Sequence, residues 1–207
     1  MKKLITTLYL TFFSIGLFAA PSDEARLSMQ TEWAHIKYEV EKDQQESMLE
    51  ALANATEETL KQHPDSAEVL IWRAIILSTY AGEKGGLGAL GLVKEAKRLL
   101  ELSIELDPSA LQGSAYTSLG SLYYQVPGWP IGFGSDKKAK QYLTKSLEIN
   151  PDGIDSNFFN ADFLLEQSEN AKAKELLEHA LEAKPRPGRE IADNGRRKEI
   201  QALLSKL

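Results

Sequence analysis

Apolar residues recur at three- and four-residue intervals along almost the whole chain, and no stretch alternates with period two over a useful length. That period is helical. It predicts helices near 22–40, 44–62, 66–80, 92–106, 111–125, 136–149, 154–168, 170–183 and 188–206. The breaks between them carry residues that stop a helix: His63-Pro64-Asp65, Leu106-Asp107-Pro108, Ile149-Asn150-Pro151-Asp152 and Lys184-Pro185-Arg186-Pro187. Proline lacks the amide hydrogen and its ring collides with the preceding turn, so no helix continues through these points.

Three of the segments repeat one another. Ala96-Leu100-Ser103-Pro108, Ala139-Leu143-Ser146-Pro151 and Ala173-Leu177-Ala180-Pro185 share an alanine, an apolar residue four on, a small residue seven on and a proline twelve on. The last two copies start 34 residues apart. The helix before each copy is centred on a small residue, Ala74, Gly120 or Ala161, which lets a neighbour come close. Pro64 to Ala74 and Pro151 to Ala161 each span ten residues, and Pro108 to Gly120 spans twelve. Helix pairs at this period stack into a solenoid.

In the middle unit Tyr116 and Leu119 precede Gly120 and Tyr123 follows it. On these residues the chain resembles the tetratricopeptide repeat family over about residues 44–185. The expected fold is all-α, a tetratricopeptide-like helical-hairpin solenoid with capping helices. Residues 21–65 read as N-terminal caps, 66–186 as three helix pairs and 187–207 as a C-terminal cap. Gly195 inside that last cap weakens its helix by about 1 kcal/mol relative to alanine, which points to a close contact there.

The spacing within each pair differs. Ala161 to Ala173 is twelve residues, a compact hairpin; Gly120 to Ala139 is nineteen and Ala74 to Ala96 twenty-two. Both excesses fall in the turn between the two helices of a unit, giving inserted loops at 81–92 and 126–135. Equivalent turns of a solenoid lie along one edge, so the two inserts are expected to be neighbours, and inserts on one edge often mark a binding face. The first contains Gly86, Gly88 and Gly91 as G-x-G-x-x-G, but a helix precedes it where a dinucleotide site needs a strand. It reads either as a mobile loop with Leu87, Leu90 and Leu92 tucked into the next repeat, or as amides holding an anion at a helix start. The second runs Val126-Pro127-Gly128-Trp129-Pro130-Ile131-Gly132-Phe133-Gly134. Prolines stiffen it, and Trp129 and Phe133 either fold back on the core or meet a partner.

Repeats of this family turn their first helices to a concave face. The middle copy would place Ser114, Thr117, Ser121, Tyr124 and Gln125 there, a hydrogen-bonding strip. The last would place Asp155, Phe158, Asp162, Leu165 and Glu166, an acidic strip, and the first Glu68, Ile71, Ile75, Ser78 and Thr79. Such a surface suits a peptide or a solute, or is simply solvated. Arg73 interrupts the apolar run Val69 to Leu77, and a covered guanidinium needs a carboxylate. That carboxylate belongs either to the next helix or to a ligand.

Lys2 and Lys3, the apolar run Leu4 to Ala20 and its small-residue end read as a secretory signal peptide over 1–20, with an uncleaved anchor as the alternative. A soluble periplasmic or secreted protein with no stable membrane insertion is expected. The net charge of −6 becomes −8 without that segment, and an acidic surface does not suit nucleic acid. Cysteine is absent, which removes disulfides, thiolate metal sites and a lipid-bearing cysteine. His35, His63 and His179 show no metal-ligand spacing, no nucleophile motif appears, and the expectation is a non-catalytic protein without cofactor or metal.

Taken together, the export signal, the divergent repeats and the glycine-rich and Val-Pro-Gly-Trp-Pro inserts resemble the T-component-like proteins of TRAP transport systems. That resemblance implies a periplasmic adaptor associated with a solute-binding protein, able to pass on a small, often anionic, ligand. The alternative is a groove-type carrier of a small organic or hydrophobic solute. Arg73, Gly86, Gly88, Thr117, Ser121, Tyr124, Gln125, Trp129, Phe133, Asp162 and Glu166 are the candidate ligand- or partner-binding residues.

Overall fold

A computed structural model describes residues 21–207; the signal-like segment 1–20 lies outside them. Among the described residues all regular structure is helical: α1 (Pro21–Glu39), α2 (Lys42–Gln62), α3 (Ala67–Lys84), α4 (Ala89–Leu106), α5 (Ala110–Gln125), α6 (Asp136–Ile149), α7 (Ile154–Glu166), α8 (Asn170–Leu181) and α9 (Glu190–Leu204). Helices α3–α4, α5–α6 and α7–α8 are tetratricopeptide-like hairpins. The repeated motif is their seam: Ala96, Leu100, Ser103, Ala139, Leu143, Ser146, Ala173, Leu177 and Ala180 are all completely buried. Gly120 is small because Leu143 lies against it. A Cβ there would sit 2.5 Å from the leucine Cγ, so alanine would force α5 and α6 apart. Serines 66 and 135 cap α3 and α6 by accepting from the amides of Val69 and Lys138.

The helices form two layers. Odd-numbered helices make the inner one, where α1 packs on α3, α3 on α5, α5 on α7 and α7 on α9. Even-numbered helices lie outside, each bridging successive inner helices. The end helices, expected as caps, also meet one another: α9 packs on α1 and closes the inner layer into a ring. Gly195 makes that possible. Its Cα faces the Tyr38 ring so closely that a Cβ would lie 2.3 Å from the ring's Cδ1. The main core runs through α1 to α6 and takes in Phe163 and Ala192, while a smaller one joins α7, α8 and α9.

Two local details depart from the sequence reading. The first insert contracts to residues 85–88, because α3 runs on to Lys84 and α4 begins at Ala89. The chain reverses on Gly85 and Gly86, both left-handed at φ 62° and 60°, so the other inserted residues become extra helical turns. The second departure is inside α5. Leu111, Gln112 and Gly113 are left-handed, at φ 47°, 55° and 75°. This turn absorbs the two residues by which Pro108–Gly120 exceeds the other units. Its cost, about 1–2 kcal/mol for each residue bearing a Cβ, is set against burial of Gly113 under Ile149.

Candidate functional site

The ring of inner helices surrounds a cavity of about 1060 Å3. Each helix offers one face to it, at the three- and four-residue steps that keep side chains on one side. Helix α3 gives Trp72, Ile75, Ser78 and Thr79; α5 gives Ser114, Thr117, Ser121 and Gln125; α7 gives Asp155, Phe158 and Asp162. The ends of the chain supply the rest: Trp33, Lys37 and Tyr38 from α1, and Arg196, Glu199 and Leu203 from α9. Arg186 and Arg189 enter from the segment before α9. None of the three histidines lines it.

Aromatic rings build two of the walls. Trp33 and Trp72 meet edge to face at 5.6 Å, and Trp33 Nε1 donates to Thr79 Oγ1 at 2.8 Å, so the indole is fixed. On the far side Phe158 and Phe159 meet at 5.2 Å, with the Arg196 guanidinium over Phe158 at 4.1 Å. Arg196 also anchors the ring closure. Its Nε donates to Asp155 at 2.9 Å and its Nη1 to Glu199 at 2.6 Å, while Tyr38 on α1 donates to Glu199 at 3.4 Å. Arg186 joins them, donating to Asp155 and Asp193 at 2.8 Å each. Burial alone would raise the Asp155 carboxyl, but Arg196 and Arg186 outweigh it and hold the group well below the usual carboxylate range.

The expected concave residues divide. Thr117, Ser121, Gln125 and Asp162 line the cavity. Tyr124 does not; it is buried between α5 and α7, and its hydroxyl donates to Asp162 Oδ2 at 2.7 Å. Burial and then the Asp162 carboxylate push that hydroxyl far above its ordinary titration range. Glu166 is exposed and outside the lining; what burial it has, with Asp162 and Asp136 nearby, raises its carboxyl.

Arg73 faces the other way, toward α2 and α4. Its Nη1 donates to the Ala53 carbonyl at 2.7 Å and Thr56 Oγ1 at 3.1 Å, and its Nε and Nη2 donate to Glu95 at 3.2 and 2.8 Å. The acid of the next helix therefore takes the guanidinium, and no free edge reaches the cavity.

The two inserts share the cavity's mouth. Gly86 and Leu87 come from the first, Pro127 and Ile131 from the second. Leu87 stands 82% exposed, so it is not tucked into a repeat as one reading expected. Gly88 lies outside the lining at the start of α4, where a Cβ would sit 3.1 Å from Lys84 Cε. The second insert separates its two aromatic residues. Phe133 folds back edge to face on Tyr123 at 5.4 Å. Trp129, with a cis bond to Pro130, projects 90% exposed. The loop beneath is held by its own backbone: the Gly134 amide donates to Pro127 at 3.0 Å and that of Ser135 to Tyr123 at 2.7 Å.

No protein-family model matches the chain, and no curated protein sequence matches it. Among solved structures, the crystal structure of MamA is similar to it. The two share 18% identical residues over 92% of this chain and 94% of that one, with a TM-score of 0.45.

Sequence reasoning missed the part of the lining that α1, α9 and the segment before α9 supply. Trp33 and Lys37 come from α1, Arg189 from the segment before α9 and Arg196 from α9; none carries the repeat pattern, and they reach the cavity only because α1 and α9 meet. The one local signal is Gly195, a glycine in mid-helix with no turn to explain it.

Proposed function

We propose that this chain is a binding protein without catalytic activity, and that its central cavity takes a small organic solute. One observation carries this reading: the inner helices α1, α3, α5, α7 and α9 surround a cavity of about 1060 Å3. Pockets for drug-sized ligands run to about 300–1,000 Å3 and are mostly apolar, with a few polar groups that fix orientation. Trp33, Ile75, Leu122 and Phe158 against Thr79, Thr117 and Ser121 fit that description. The test is native mass spectrometry of protein purified gently from cells that export it. A co-purifying small molecule is expected, with a melting temperature that rises as more of it is added. Protein that carries no added mass, and whose melting is unmoved by whole-cell metabolite and lipid extracts, would overturn the reading.

A second reading, adaptor to a protein partner, is favoured by the rim. Trp129, Leu87 and Ile131 are large apolar side chains at 90%, 82% and 58% exposure. Apolar surface gathered at one edge of a scaffold is what a partner covers, and tetratricopeptide-like stacks generally serve protein contact. The resemblance to T components supplies the class of partner, a periplasmic solute-binding protein that passes its ligand to the cavity. In this reading residues 1–20 direct export, and the protein works in the periplasm or outside the cell. Among the described residues no helix is long and apolar enough to cross a membrane. A crosslinking pull-down of the exported protein, run beside Trp129→Ala, is expected to enrich a solute-binding protein only with the parent chain. Equal enrichment by both would remove Trp129 from the contact.

A further inference from the structure

The charges lining the cavity do not balance once their partners are assigned. Four carboxylates line it, and each is already engaged. Asp155 accepts from Arg186 and Arg196, Asp162 from Tyr124, Glu199 from Arg196 and Tyr38, and Glu83 pairs with Lys42. Two of the four lining cations, Arg186 and Arg196, are spent in the same network. Lys37 and Arg189 are left. Among the described residues neither side chain makes an ion pair or donates a hydrogen bond, and the Arg189 Nε is buried without an acceptor. The Arg189 guanidinium sits over the Trp72 ring, its carbon 4.9 Å from the ring centroid. Trp72 in turn meets Trp33, and Lys37 stands one turn beyond Trp33 on the same face of α1. The two free cations thus flank one aromatic wall of the cavity. Burial, and then the neighbouring Arg186, disfavour the charge on Arg189, so an incoming anion relieves a cost the protein already carries.

Resting on the cavity reading above, we infer that the solute is an amphipathic organic anion, its acidic head held by Arg189 and Lys37 and its apolar body laid along the aromatic walls. A planar guanidinium with a free edge forms paired hydrogen bonds with a carboxylate or sulfonate, and a neutral head gives it nothing equivalent. The volume argues for the body. A cavity of about 1060 Å3 holds a drug-sized molecule, and a small polar diacid would leave most of the aromatic lining against water. The sign is specific to this place. The chain carries a net charge of −6 overall, whereas the unpaired charges inside are positive.

The test uses three probes with one twelve-carbon tail and different heads: laurate, dodecanol and dodecyltrimethylammonium. In the Trp129→Ala background the only tryptophans are Trp33 and Trp72, so fluorescence reports the cavity alone. Laurate is expected to bind at least about tenfold more tightly than dodecanol, with the cationic probe weakest. Arg189→Met is expected to remove that margin for laurate, leave dodecanol unchanged and leave the circular dichroism spectrum intact, and Arg189→Lys to restore part of it. Equal binding of laurate and dodecanol, or an unchanged laurate affinity in folded Arg189→Met, overturns the anion inference and leaves the cavity reading standing. Failure of all three probes to change the tryptophan signal overturns both.

Discussion

Trp72 and Arg73 are neighbours in sequence, about 100° apart around α3, and they open onto two regions that treat an arginine in opposite ways. On the Arg73 side, α2 and α4 supply a carbonyl, a hydroxyl and a carboxylate, and the guanidinium makes four hydrogen bonds. On the Trp72 side, Arg189 has an aromatic face beneath it and no acceptor. Both are cations amid apolar surroundings. The first is saturated and has nothing to offer a ligand; the second is unsaturated and lines the central cavity. Coordination thus separates a structural arginine from a binding one where burial does not.

The strongest way to break the contrast is to truncate the saturated member. Arg73→Ala takes the donor from the Thr56 hydroxyl and Glu95 and leaves the Ala53 carbonyl with its bond from Thr56. Removing one partner of a buried ion pair costs about 3–5 kcal/mol. Glu95 keeps 38% of its side-chain surface and can recruit water, so about 2–3 kcal/mol is expected here. Urea denaturation checks it. Arg189→Met is expected to move the same transition by less than about 0.5 kcal/mol, in either direction. If the two variants lose similar stability, the distinction drawn from coordination fails.

A smaller effect is expected at the ring closure. In Gly195→Ala the new methyl meets the Tyr38 ring at 2.3–2.4 Å, and the ring sits under Glu199 and the Arg196 network. Overpacking of this kind costs about 1–3 kcal/mol, and here the strain falls on the contact between α1 and α9. Both the melting temperature and laurate affinity are expected to fall. A lower melting temperature with unchanged affinity would mean that the cavity does not depend on the α1–α9 contact.

Acid probes the same closure more gently. Asp155 titrates lower in the folded chain than in the unfolded one, where a carboxyl sits near about 3.9. Its ionised form therefore stabilises the fold above about pH 4, and that stability is lost as the pH falls toward the native value. Melting curves between pH 7 and pH 3 are expected to show a drop in the lower part of the range. Asp155→Asn, which cannot titrate, is expected to start lower and to lose less over the same interval.

Much of this was legible in the sequence, for reasons particular residues make plain. Prolines 64, 108, 151 and 185 stop helices by covalent geometry, which no tertiary contact overrides. The Ala-Leu-small seam repeats because each copy fills the same completely buried slot. Thr117, Ser121, Gln125 and Asp162 reach the cavity because helical phase carries over from one unit to the next. Tyr124 shares that phase and still leaves the lining, since Asp162 on the adjacent helix captures its hydroxyl. The ring closure was not legible. Tyr38 and Glu199 are 161 residues apart, and their helices lack the repeat that made the rest readable. Arg189 carries no such signal in the sequence, because its lack of an acceptor is a property of three-dimensional space.

The smallest stability effect is expected at Trp129, and there the smallness is informative. Ninety per cent of its surface is already in water, so Trp129→Ala removes almost no burial, and surface changes of this kind stay within about 0.5 kcal/mol. The backbone bonds that shape the loop run through Pro127, Gly134 and Ser135 and do not involve the indole. Phe133, ten residues beyond Tyr123 in the same insert, is the control: its ring packs on the core, so Phe133→Ala is expected to lower the melting temperature clearly. Thermal denaturation of the two variants side by side decides the matter. If Trp129→Ala proves as destabilising as Phe133→Ala, the indole packs on the fold in solution and is not held out for a partner. If it melts like the parent chain, nothing in the fold accounts for a tryptophan at that position, and a partner surface becomes the physical reason for it.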